Sequence, residues 1–503
     1  LRTLFPYTTL FRSVGETMYI ILLGILFLFL IVTPLLFKNI KTTGVVTIFG
    51  AVLVLGIVIK IITMISRGYS LSYFNEFFYI DSLSIVQLLI ISCINIIVSI
   101  YSYRYISDEI EEKIITLKMG KFYYFLFNFF VFFMLFIALT NNIVAMWIGL
   151  EGTTLTTAFL IGFNINKNSL ESAWKYIIIC SIGIGIGLIG ILIFVNAYSN
   201  QDTDQILKWS HLVNNQNPQS TYAIKIAFTL IFVGIGTKAG LAPMHTWLPD
   251  AHSEAPSPVS AMMSGVLLNL ALYVILRFYI ITKHIPGLQN TKWLFIVFGC
   301  VSLIISSFSI LRQLNYKRLL AFSSVENMGI IALGLGLGSK IAVFGAILHS
   351  LVHAFGKSML FLTAGNLLSA YKTKRIDKID ALIKTMPINA IFFIIGMLVI
   401  TGAPPFPAFF SEYYIIVGTV ESGNYIVTAL YTFCLLLVFA GFLRVFIKIV
   451  FNTEPGVKYV RMKEDKKNIL PLALCFVSII IMSLTMNGYL ANMINNAVLI
   501  ICD

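Results

Sequence analysis

Apolar runs of about 20 residues, separated by short polar stretches, recur from one end of the chain to the other; that length lets an α-helix cross a hydrocarbon core. About fourteen such runs are expected, at roughly 18–37, 44–65, 81–101, 123–141, 143–163, 175–198, 223–247, 258–281, 293–311, 319–338, 341–365, 388–420, 425–450 and 469–498. The pattern predicts an all-α integral membrane protein with about 14 transmembrane helices.

Basic residues gather in alternate loops. Lys38 and Lys41, then Arg104, Lys113, Lys118 and Lys121, then Arg312, Lys317 and Arg318 follow odd-numbered runs, as do the clusters at 372–384 and 458–467. About 20 basic residues lie on that side against about 6 on the other, so the odd loops are expected in the cytoplasm and both termini outside, with the cytoplasmic membrane of a prokaryote as the location.

Composition agrees and narrows the partners. Of 503 residues, 58% are hydrophobic and 11% charged, with a mean hydropathy of +0.91. The lipid bilayer is therefore the surrounding medium. A net charge of +13 is read as membrane topology, and no nucleic-acid partner is expected. Cys93, Cys180, Cys300, Cys434, Cys475 and Cys502 are scattered without ligand spacing, so no metal site and no bound cofactor is expected in this chain. Residues 4–13 read like a translated sequencing adapter. Residues 1–17 are accordingly set apart from a single membrane domain at 18–503, with Met18 as the expected start.

Two runs carry helix breakers at depth. In the seventh, Pro243 follows five residues after Lys238; in the twelfth, Ala403-Pro404-Pro405-Phe406-Pro407 precedes Glu412. Irregular backbone inside a bilayer survives only where protein or water surrounds it, and paired breaks point to an ion path and an internal repeat.

Glu151, Lys238, Lys357 and Glu412 lie well inside apolar runs. A charge there costs roughly 2.5–3.5 kcal/mol on insertion scales, which makes each a candidate proton-transfer group. Lys175, Glu326, His349 and His353 are secondary relay candidates. His349, His353 and Lys357 recur every fourth residue, a single stripe on the eleventh helix. The bland alternative is a polar seam that hydrogen-bonds neighbouring helices. Lysine suits translocation because a carboxylate at about 4 Å, with an effective dielectric near 20, offers roughly 4 kcal/mol. Moving that carboxylate switches the lysine. Glu151 is the expected partner of Lys238. Lys60 is expected to snorkel, Asp81 to cap its helix, and the acidic run 108–112 to form a solvated loop.

The stretch Gly236-Thr237-Lys238-Ala239-Gly240-Leu241-Ala242-Pro243-Met244-His245-Thr246-Trp247-Leu248-Pro249-Asp250-Ala251-His252 resembles the antiporter-like subunits shared by respiratory complex I, Mrp cation/proton antiporters and group 4 membrane-bound hydrogenases. Residues 147–157, 173–176 and 323–329 look most like the F component of hydrogenase 4. The resemblance implies inverted five-helix repeats, about 123–281 and 293–450, with helices 7 and 12 broken. It places Glu151, Lys238 and Glu412 on the family's fifth-helix glutamate, seventh-helix lysine and twelfth-helix terminal residue, and Lys175 on a sixth-helix lysine. Where many relatives carry a charge in the eighth helix, this chain has Asn269 and Ser264. The proton route is then expected to run through the eleventh-helix stripe. The chain stops soon after its fourteenth run, which implies that the long lateral helix of some relatives is missing.

The implied function is a proton-translocating subunit of a hydrogenase 4 or formate hydrogenlyase-like complex, with other membrane subunits and peripheral redox subunits as partners. A subunit of an Mrp-type sodium/proton antiporter or of NADH-quinone oxidoreductase is the alternative, and a scaffold with a decayed channel is a third class.

Overall fold

The computed structural model describes residues 6–65, 70–214, 217–453, 459–462 and 464–503, with side chains from residue 18 onward except at 203. Residues 1–5, the side chains of 6–17, Lys458 and Lys463 lie outside the described residues, so the expected foreign leader and part of the last basic cluster fall there.

Among the described residues, thirteen helices are long and apolar enough to cross a membrane, from Met18–Leu36 to Lys466–Thr485. The expected twelfth run is two shorter helices, Pro387–Ile400 and Pro407–Glu421, divided at 401–406. Counted together they make the fourteenth crossing. The expected last run also divides, and its end is a separate helix, Tyr489–Cys502. A two-stranded antiparallel hairpin, Leu71–Tyr73 with Phe78–Ile80, sits before the third span.

Burial sorts the spans into a shell and a centre. The most apolar stretches of the eighth span, Ser257–Lys283, and the tenth, Tyr316–Leu337, are wholly buried, and the eleventh, Lys340–Tyr371, nearly so. The first, second and fourteenth instead leave most of their residues less than fully buried, and an apolar side chain needs no cover in lipid. The polar residues of the central helices are therefore enclosed by protein.

Small residues let the sixth and seventh spans approach. Gly183 and Gly187 of Lys167–Asn196 meet Gly234 of Thr221–Lys238, and Gly190 meets Ala227 and Ile231 of the same helix, a close backbone contact of the kind that drives helix pairing in membranes. A β-carbon on Gly190 would stand 2.7 Å from the Ala227 carbonyl, and one on Gly234 would strike the backbone of Gly187.

At the face opposite the lysine-rich loops, a buried ion pair clasps the third span to the eighth. Asp81 caps Ser82–Glu111 by accepting from the Ser84 amide at 2.9 Å. Arg277 binds the same carboxylate with two nitrogens, at 2.6 and 2.7 Å, and donates to the Ser84 hydroxyl at 2.8 Å. The paired guanidinium compensates the carboxylate for the water that burial removes. Trp209 and Tyr273 cover the guanidinium, 4.2 and 4.9 Å from its carbon. The expected cap is present, then, but it also closes an interhelical clasp. The acidic run expected as a loop is helical as far as Glu111, with Asp108 bound to Arg104 at 3.1 Å and Glu111 to Lys41 at 3.0 Å.

Gly234→Ala is expected to lower the thermal stability of the detergent-purified protein by about 1–3 kcal/mol through overpacking. Gly185→Ala, whose β-carbon meets nothing within 4 Å, should leave it unchanged. Equal melting temperatures for the two variants would contradict the close approach.

Candidate ion-translocation site

The seventh span ends at Lys238, and its break is stitched by unusual partners. The Leu241 amide bonds to the Gly236 carbonyl at 3.0 Å, and the Ala242 amide bonds to the Ser302 hydroxyl of the ninth span at 2.9 Å. Trp247 Nε1 reaches back to the Thr237 carbonyl at 2.9 Å. The break therefore leaves these backbone groups satisfied, as non-aqueous surroundings require. Beyond it, the short helix Trp247–Glu254 ends under a basic cover. Lys317 Nζ donates to the Ala255 carbonyl at 3.0 Å and Lys374 pairs with Glu254 at 2.8 Å, cations at a helix C-terminus where the macrodipole favours them.

Lys238 is fully buried. Its ammonium donates to Thr154 Oγ1 at 2.9 Å and to the Tyr176 hydroxyl, and lies 4.7 Å from the centre of the Tyr176 ring. The expected direct pairing with Glu151 is not formed, because these hydroxyls occupy the ammonium instead. Glu151, one turn before Thr154 on the fifth span, accepts from Ser181 at 3.1 Å through one oxygen, and its other oxygen is unpartnered. Glu151 is only partly buried, on a helix whose neighbouring Ile148 and Leu155 face outward.

Lys175 does not join this buried set. It is 47% exposed and binds Glu171 at 2.7 Å and Asp250 at 3.3 Å; Arg318 binds Asp250 from the other side at 3.4 Å. The sixth helix begins at Lys167, earlier than the apolar run suggests.

The second break holds Glu412. Gly402 takes φ +65°, and a β-carbon there would overlap the Glu412 carboxyl group. Glycine is needed both for the left-handed backbone and for the room. The adjacent Ser411 binds His349 Nδ1 at 2.8 Å, while His349 Nε2 binds Asn327 Oδ1 at 2.9 Å. Asn327 in turn donates to Glu326 Oε2 at 2.6 Å. A row Glu326, Asn327, His349, Ser411 thus runs from the tenth span to the lip of the twelfth-helix break. Ser411 can also donate to the Ala408 carbonyl at 2.7 Å. If it does, His349 can carry protons on both nitrogens; if Ser411 turns its hydroxyl to Nδ1, the ring is neutral. Both protonation states keep their partners without displacing a heavy atom.

Lys357, two turns along the eleventh helix from His349, is fully buried and donates to the Leu320 carbonyl at 2.7 Å and to Ser323. His353 lies between them with both ring nitrogens unpartnered.

Sequence reasoning missed His252, which is fully buried with both ring nitrogens unpartnered and packs against Trp247 and Phe361. Phe361 is on the eleventh helix, so His252 bridges the seventh-span break and that helix. Its signal was present in the stretch after Lys238, but it falls beyond the apolar run, where charge is not costly by hydropathy alone. Thr154, Tyr176 and Asn327 were missed because hydroxyls and amides leave little mark on a hydropathy profile. Among the described residues no cluster of three or more His, Cys, Asp or Glu could hold a metal.

These features define a multi-pass helical membrane protein with a protein-enclosed polar axis between two broken helices. The chain belongs to the family described as NADH:quinone oxidoreductase/Mrp antiporter, TM, which matches residues 140–438. It is 34% identical over 344 residues to the Hydrogenase-4 component F homolog of Methylacidiphilum infernorum (isolate V4), covering 68% of this chain and 72% of that protein. Its fold is similar to a chain of the membrane-bound sulfane sulfur reductase, an archaeal respiratory membrane complex, with TM-score 0.85, 23% identity, and coverage of 97% of this chain and 98% of that one. It is also similar to a chain of the Mrp complex from Dietzia sp. DQ12-45-1b, with TM-score 0.79, 19% identity, and coverage of 98% and 97%.

Gly402→Ala is expected to destabilise the protein by at least ~1–2 kcal/mol from the left-handed backbone alone. Gly423→Ala, with φ +71° and nothing near its β-carbon, controls for that backbone term. A melting point for Gly402→Ala no lower than for Gly423→Ala would show that the Glu412 carboxyl does not need the space.

Proposed function

We propose that this chain is the proton-translocating membrane subunit of a respiratory-type oxidoreductase complex of the hydrogenase 4 or formate hydrogenlyase kind, in the cytoplasmic membrane of a prokaryote. The observation that carries the reading is the row of buried proton-bearing groups between the two broken helices. Lys238 stands at one break and His252 beyond it; Lys357, His353 and His349 follow on the eleventh helix, and Ser411 and Glu412 stand at the other break. Glu326 joins the row through Asn327. The 34% identity to a Hydrogenase-4 component F homolog supports the choice of complex.

Lys238 would act as the switched charge. Resting on two hydroxyls, its ammonium lacks the roughly 4 kcal/mol that a carboxylate at ~4 Å would offer. Glu151 lies one helical turn from Thr154, so a shift of either side chain changes what the lysine feels. A partly buried carboxylate on a surface that otherwise faces lipid calls for cover, and a neighbouring membrane subunit would supply it. Peripheral subunits would supply the redox chemistry.

The test is Lys238→Ala in the intact complex, in everted membrane vesicles. Electron transfer should continue, the complex should assemble, and proton uptake per electron should fall by about tenfold or more. Pumping retained at the wild-type ratio would sink the reading and favour a scaffold. Sodium-dependent proton flux with no electron donor would instead favour an antiporter.

A further inference from the structure

Away from the row between Lys238 and Glu412, a cavity of about 30 Å³ lies between the third, eighth, tenth and eleventh spans. Its polar lining is Gln87, Asn269, Tyr273 and Ser350, set among leucines, isoleucines, a valine and an alanine. A single water needs roughly 10–15 Å³ measured this way, so the space suits about two. Gln87 and Asn269 are 5% and 2% exposed, and each leaves its side-chain carbonyl oxygen without a protein partner. An orphaned buried acceptor costs about 1–3 kcal/mol. Two of them beside one cavity of that size mark a hydrated site rather than a packing flaw.

The cavity has two ends. Asn269 Nδ2 donates to the Gly265 carbonyl at 2.8 Å and to the Ser350 carbonyl of the eleventh helix at 3.2 Å. Ser350 and His353 are three residues apart on that helix and so share a side of it. Towards the face opposite the lysine-rich loops, the Tyr273 hydroxyl lies 3.2 Å from Ser84 Oγ, which takes the Arg277 hydrogen bond beside Asp81. The polar lining thus leads from the eleventh-helix histidines to the clasp at the head of the third span.

We infer that this cavity is a water site forming a side branch of the proton path, between His353 and the Asp81–Arg277 clasp. It rests on the proton-translocation reading. Asn269 carries no proton itself; its unpartnered carbonyl oxygen orders the water, and that of Gln87 completes the acceptor pair. The Asp81–Arg277 pair stands at the far end of the branch.

The experiment is synchrotron hydroxyl-radical labelling of the intact complex in H₂¹⁸O, with proton uptake measured on the same preparations. Buried side chains beside ordered water take up label, so Tyr273 should label well above the fully buried Phe228, which is packed among aromatic rings. Gln87→Leu should suppress labelling at Tyr273 and lower proton uptake about tenfold, ~1.4 kcal/mol on the barrier, with the complex assembled. Gln87→Ser, which keeps a polar group and opens space for a further water, should restore both. Asn269→Leu should match Gln87→Leu but also loses bonds to two carbonyls, so Gln87 carries the test. Tyr273 labelling no greater than that of Phe228 would show a dry cavity and overturn the proposal. Normal labelling with wild-type proton uptake in Gln87→Leu would overturn the branch. Lys238→Ala should lower uptake about tenfold or more while leaving Tyr273 labelled; uptake intact in that variant would remove the transport reading and the branch with it, whatever the labelling.

Discussion

A polar group surrounded by hydrocarbon cannot turn to water, and the rest of this structure follows from how each such group is answered from within the chain. The thirteen long helices among the described residues satisfy their own backbone. Where the seventh helix stops at Lys238, Ser302 and the Gly236 and Thr237 carbonyls take over. Where charge is enclosed at the head of the third span, Asp81 and Arg277 bind each other twice. Breaking such a pair from one side typically costs about 3–5 kcal/mol, because the remaining charge is stranded.

That constraint also explains why the central groups differ from the clasp. Lys238, Lys357 and His349 are held by hydroxyls, carbonyls and an amide rather than by an opposite charge within bonding range. An ion pair fixes protonation; a hydroxyl, which both donates and accepts, permits it to change. The same chain therefore uses charge pairing where rigidity is needed and neutral partners along the row.

Much of this was legible in sequence, for a physical reason. Crossing a bilayer demands a length and a composition, so all fourteen crossings stand close to their expected places, and the two proline-containing breaks mark the interrupted helices. Expensive charges announce themselves in apolar runs, which is how Lys238, Lys357 and Glu412 came forward. Lys175 shows the limit: it lies in the third turn of a helix that begins at Lys167, and hydropathy cannot tell a buried lysine from one bound to Glu171 and Asp250 at the surface. The absent Glu151 pairing was illegible because helix rotation, not composition, decides whether Thr154 or Glu151 faces the ammonium.

Asn269 brings these lines together. An amide at the middle of a wholly buried helix has no charge to announce it, yet it ties its own helix to the eleventh at Ser350 and leaves an oxygen towards the cavity. A lysine there would have needed a carboxylate or deprotonation to be tolerated. An amide needs only hydrogen-bond partners, at a fraction of the cost. The eleventh helix already supplies two histidines and a lysine within about 12 Å of helix length, from eight residues at a rise of ~1.5 Å. On the proposed reading, a further fixed cation beside them would repel each proton entering the row, so a neutral side chain is compatible with a path concentrated on that helix.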